Sequence, residues 1–139
     1  MNRFVLDASV ALGWIADEPP SPYALRIKQG LLNNRRAVVP AHWHVEIANW
    51  FAVAGRRGVL DESQESILLS ALDGIIAGAI DTETSPVSMR QALATARHFQ
   101  LSAYDAVYLD LALRQHLPLA TLDQQLRVAA KKAGAELLQ

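Results

Sequence analysis

What most constrains this chain is the regular alternation of short apolar runs with longer stretches of helical composition. Residues 3–6 form the first run and 37–40 the second, closed by Pro40, while 78–81 is a weaker third and 119–122 follows Pro118. Each is short enough to read as a strand. Between them the composition predicts helices over 9–16, 23–33, 42–57, 62–72, 86–99 and 101–115, and another from Asp123 to near Gly134. A last strand is expected at 136–138. Turn chemistry supports these boundaries. Three prolines fall within residues 17–22, and Ser21-Pro22 supplies an N-cap and a first helical position. Ser85-Pro86 does the same for the helix that ends at Phe99, and Asp61 with Gln64 makes a capping signature after the Gly55 to Gly58 turn of a helical hairpin. Strands alternating with helices imply a mainly parallel sheet covered on both faces, an α/β fold.

With 139 residues, the chain has the length of one domain, 1–139. Its 51% apolar and 19% charged residues are enough for a core and too apolar for disorder. The absence of cysteine excludes disulfides, thiolate zinc sites, iron–sulfur clusters and a cysteine nucleophile, and fits a reducing cytoplasm. No apolar run reaches the ~18–20 residues of a membrane helix. Asp7 comes too early for a signal peptide.

Ligands of an open parallel sheet bind beyond the carboxyl ends of its strands. Asp7 and Asp123 stand at two such ends, where helix capping is the competing explanation for each taken singly. Glu46 and Asp105 are acids on apolar helical faces without a basic neighbour, and capping does not explain them. Asp110, with Arg114 four residues on, reads instead as an exposed ion pair. If the four acids converge, their mutual repulsion calls for a multivalent cation, and an all-oxygen donor set suits magnesium or manganese. Carboxylate clusters around such ions serve phosphoryl chemistry, so the inferred substrate is a phosphate ester. Ser9 and Thr121, two residues from an aspartate each, are placed to orient carboxylates, or else to cap and pack.

The pieces Val5-Leu6-Asp7-Ala8-Ser9, Val39-Pro40 leading to Glu46-Ile47-Ala48-Asn49, Leu101 to Leu109 with Tyr104-Asp105-Ala106, and Leu119-Ala120-Thr121-Leu122-Asp123 together resemble the PIN-domain ribonucleases. The likeness is greatest to the VapC-type toxins of bacterial toxin–antitoxin pairs. The resemblance implies a three-layer α/β/α domain whose quartet Asp7, Glu46, Asp105 and Asp123 binds one or two Mg2+ or Mn2+ ions and cleaves RNA. It implies support of that quartet by Ser9 and Thr121, a homodimer, and a small antitoxin partner. Ile67 and Leu68 of the hairpin are the expected contacts.

Setting these four acids aside leaves ten acids against thirteen bases, a surplus of +3 available to a phosphate backbone. The Gly55-Arg56-Arg57-Gly58 sequence matches the GxxG loop of KH domains only superficially, and reads as a capped turn. His42, His44, His98 and His116 lack metal-site spacing, and His42 and His44 point to different sides of their helix. Trp14, Trp43, Trp50, Tyr104 and Tyr108 fall at helical spacing and are expected in the core, while Tyr23 is the better candidate for an exposed ring. No serine elbow, phosphate loop or dinucleotide fingerprint occurs. The rival readings are a haloacid-dehalogenase-like phosphatase, which needs an acid where Ser9 stands, and an inactive interaction module of the same fold.

Overall fold

The computed structural model describes residues 2–139 and has the expected alternation. Strand β1 (Arg3–Leu6) leads to helices α1 (Ala8–Ile15) and α2 (Pro22–Leu32), and β2 (Arg36–Val39) leads to α3 (His42–Arg56) and α4 (Glu62–Ala79). Strand β3 (Ile80–Thr82) precedes α5 (Met89–Phe99) and α6 (Ala103–Gln115), and β4 (Leu119–Ala120) precedes α7 (Gln124–Ala133). The sheet runs β3-β2-β1-β4 with every pair parallel. Helix α1 packs on α2 and α3, and α2 on α4, while α6 packs on α5 and α7, the two outer layers of an α/β/α domain.

The strands are nearly all apolar because both faces are covered: Phe4, Val5, Leu6, Val38, Val39, Leu119 and Ala120 are buried. Register aligns their ends. Leu6 pairs with Ala120, and the Asp7 amide donates to the Ala120 carbonyl (3.0 Å), so the chain leaves β1 and β4 side by side. From β1 the chain progresses through β2 to β3 and then returns to the opposite side of β1. With right-handed crossovers, α1 and α7 therefore depart onto opposite faces, which makes the β1–β4 junction the topological switch point of the sheet. Gly13 keeps this corner tight: a Cβ there would meet Ala24 Cβ and Leu122 Cδ1, each at 3.2 Å.

Three boundaries depart most from expectation, and β3 begins two residues later than the run at 78–81. Helix α4 continues to Ala79 because its buried stripe of Leu72, Ile75 and Ala79 carries on past Gly74 and Gly78, where helical packing outweighs glycine's poor propensity. Helix α5 starts at Met89, since Ser88 rather than Ser85 caps it by accepting from the Gln91 amide (3.1 Å). The expected last strand is a single bridge between Leu119 and Leu137. The Gly55–Gly58 segment is the capped turn foreseen, with Gly58 at φ +70° and the Val59 amide closing on the Ala54 carbonyl (2.9 Å). Among the described residues no helix is long and apolar enough to cross a membrane.

Candidate active site

Asp7 begins the site. It occupies the N-cap position of α1, yet its side chain makes no capping bond, and it is only 3% exposed. Its Oδ2 instead accepts from Ser9 Oγ (2.6 Å) and Thr121 Oγ1 (2.7 Å). Those hydroxyl oxygens in turn accept the Leu122 and Asp123 amides, both at 3.0 Å. One carboxylate oxygen thus ties the end of β1 to the end of β4, and among the described residues every hydrogen bond to the Asp7 side chain falls on Oδ2. Asp123 follows at once and does cap: Oδ1 accepts the Leu126 amide of α7 (2.9 Å). Its other oxygen has no part in the cap.

The two helical acids stand opposite each other. Asp105 lies in the first turn of α6, where the Ser102 hydroxyl caps the helix by accepting its amide (3.1 Å). Glu46 lies on α3, and its Oε1 accepts from Tyr108 Oη (2.8 Å). His42, one turn earlier on α3, brings Nε2 to 3.1 Å from the same oxygen and to 3.1 Å from the Tyr104 carbonyl. A carbonyl only accepts, so the His42 proton is on Nε2 and the ring bridges α3 to α6. Glu46 and Asp105 line a cleft of about 480 Å3 with His42, Val45, Asn49, Ser102 and Tyr104.

Electrostatics link all four acids. Burial pushes the Asp7 carboxyl up to about 6; the Ser9 and Thr121 hydroxyls oppose the rise, and the charges of Glu46 and Asp105 add to it. Asp105 is raised by burial, by Asp123 and by Glu46, against Ser102 and His42. The Tyr108 hydroxyl is held far above its ordinary range by burial and by the charges of Asp7 and Glu46, so it keeps its proton and donates it to Glu46. Among the described residues none of the four acids pairs with a lysine or arginine. Among the same residues no three His, Asp or Glu side chains are so placed that they hold one metal ion between them. Magnesium and its like keep several waters and take one or two direct carboxylates, and the all-oxygen, anionic donors here fit such an ion.

Several other residues sit elsewhere than expected. Asp110 is not exposed: at 4% exposure it accepts from Arg114 Nε (2.9 Å) and Gln91 Nε2 (3.1 Å), because α5 covers that side of α6. Asp105, expected on the core stripe, is the half-exposed one. Tyr104, expected in the core, is 67% exposed. Tyr23 is half-buried, donating to the Leu138 carbonyl (2.7 Å) under the guanidinium groups of Arg26 and Arg127. Trp14, Trp43 and Tyr108 are buried as expected. His42 and His44 do diverge, the latter reaching Thr82 Oγ1 (2.9 Å). The sequence reading missed His42 and Tyr108 as partners of Glu46, although the His42–Glu46 spacing of four residues on one helix was visible.

Comparison with known proteins places this geometry in context. Residues 4–132 match the family model described as PIN domain. No curated protein matches the sequence. Among solved structures, PAE2754 from Pyrobaculum aerophilum superposes with a TM-score of 0.69 at 20% identity, covering 96% of this chain and 82% of that one. FitAcB from Neisseria gonorrhoeae superposes with a TM-score of 0.67 at 18% identity, covering 98% and 96%. At such identities the two structures speak for the fold.

Proposed function

Because this chain belongs to the PIN domain family, we propose that it is a magnesium- or manganese-dependent endoribonuclease, the toxin of a cytoplasmic toxin–antitoxin pair. The observation that carries this reading is Asp7 tied across the ends of β1 and β4 beside Asp123, with Glu46 and Asp105 lining one cleft and, among the described residues, none of the four paired with lysine or arginine. RNA phosphates do not approach four carboxylates without compensating positive charge. One or two of Asp7, Glu46, Asp105 and Asp123 would hold Mg2+ or Mn2+ directly and the rest through its waters, and the ion when bound supplies that charge, polarises the phosphate and lowers the pKa of bound water.

The protein's own groups orient the acids. Ser9 and Thr121 fix Asp7 by Oδ2 and leave Oδ1 free to face a ligand. Tyr108 holds Glu46 by a hydrogen bond to Oε1, and His42 Nε2 stands 3.1 Å from the same oxygen. No side chain here is an activated nucleophile. Water therefore attacks in line, no covalent enzyme intermediate forms, and the ends produced are 5′-phosphate and 3′-hydroxyl. A second copy of the chain and an antitoxin protein complete the proposal. Ile67 on α4 is exposed and free for such a contact, whereas Leu68 packs against the core.

Incubation with single-stranded RNA in Mg2+ or Mn2+ tests the reading. EDTA should stop cleavage, and Asp7→Asn, Glu46→Gln, Asp105→Asn and Asp123→Asn should each slow it ~10²-fold or more, as expected for groups needed in the transition state. Cleavage that persists in EDTA, or ends bearing 2′,3′-cyclic phosphate, overturns it.

A further inference from the structure

Resting on the ribonuclease reading, we infer that the Tyr104 ring is a stacking platform for the base of the nucleotide next to the scissile phosphate, with Val45 as its apolar counterpart across the cleft. Exposure is the first ground. Tyr104 and Val45 are each 67% exposed, although aromatic and β-branched side chains on helices normally turn inward. Both line the cleft of Glu46 and Asp105, and each immediately precedes one of those acids in the chain. The two helices thus present an apolar side chain beside a carboxylate on either wall, an arrangement that suits a flat uncharged ring joined to a phosphate.

Rigidity is the second ground. The Tyr104 carbonyl accepts from His42 Nε2 (3.1 Å), and the His42 ring lies tilted against the Tyr104 ring with centroids 5.9 Å apart. The Ser102 cap fixes the same helical turn. The ring is therefore held at the rim by backbone and histidine while nothing in the fold covers it. Stacking on such a ring requires an unpaired base, so the preferred substrate is single-stranded or looped RNA, with little dependence on base identity.

The test is steady-state cleavage by the full chain of one single-stranded RNA and of the same RNA with an abasic nucleotide on either side of the scissile bond. Tyr104→Ala should raise KM roughly 5- to 100-fold with kcat little changed, whereas Tyr104→Phe and Tyr104→Trp should stay near wild type. One of the two abasic substrates should cost the wild type a similar factor and cost Tyr104→Ala nothing more. Because the side chain is exposed, Tyr104→Ala should melt with the wild type. If Tyr104→Ala retains the wild-type KM, or if its penalty multiplies with that of both abasic substrates, the platform is wrong while the ribonuclease stands. Absence of any RNA cleavage by the wild type overturns both.

Discussion

Asp7 is a buried carboxylate whose charged neighbours are carboxylates too, and two hydroxyl donors do not offset that environment: its pKa settles at about 6 rather than 3.8. A carboxyl that binds its proton more tightly folded than unfolded adds stability that is present at the acid end and lost as pH rises from 3.8 through about 6. The gap corresponds to a loss on the order of 3 kcal/mol by neutral pH. In EDTA, Asp7→Asn should therefore melt higher than the wild type at about pH 7.5, with the difference closing toward about pH 4. Melts at both pH values check this, and an Asn variant less stable at both would mean that the hydroxyl bonds outweigh the buried charge. Asp7, Ser9 and Thr121 were legible because strand ends in a parallel sheet are fixed by the run of apolar residues before them. Asp105 and Asp110 were not, since both are helical acids beside apolar residues. Which one is covered depends on how α5 lies on α6, and the i,i+4 partner Arg114 carries no information about that.

At the scale of elements, the site depends on α3 and α6 meeting through Tyr108, whose ring is fully buried and whose hydroxyl is the donor to Glu46. Tyr108→Phe removes only that donor. Glu46 is half-buried and keeps the neighbouring His42, so the stability loss should be small, about 1.5 kcal/mol, at the low end for a hydrogen bond to a charged acceptor. The effect on cleavage should be larger, roughly 10-fold and mostly in kcat, because an unfixed Glu46 no longer presents its free oxygen in one place. Parallel melting and cleavage measurements separate the two, and unchanged kcat would make the bond purely structural. The same α3–α6 meeting marks where sequence stopped being informative. Helix existence was readable from composition and caps, but α4 overran its expected end because a buried stripe outweighed two glycines, and the terminal strand shrank to one bridge. Long-range contacts decided each case.

At the scale of the whole molecule, the net charge of −1 conceals an uneven distribution, with four of fourteen acids near enough that charges among them raise the pKa of Asp7 and Asp105, and none of them paired with a lysine or arginine among the described residues. Such a fold keeps its negative cluster at a cost to its own stability, and a cation that binds the folded arrangement and not the unfolded chain relieves it. The size of the relief follows from mass action: at a concentration 100 times the Kd, about 2.7 kcal/mol. For a domain of this length each kcal/mol moves Tm by roughly 3 °C, so Mg2+ or Mn2+ should raise it by about 8 °C. Asp7→Asn, which removes one negative charge from the cluster, should show little or none of that rise while starting from a higher metal-free Tm near neutral pH. The pairing of these two results is what discriminates. An equal rise in both proteins would locate the cation away from Asp7. No rise in the wild type would mean that the acids at this edge do not hold a cation at all, and the proposed hydrolysis would lose the positive charge that lets RNA approach them.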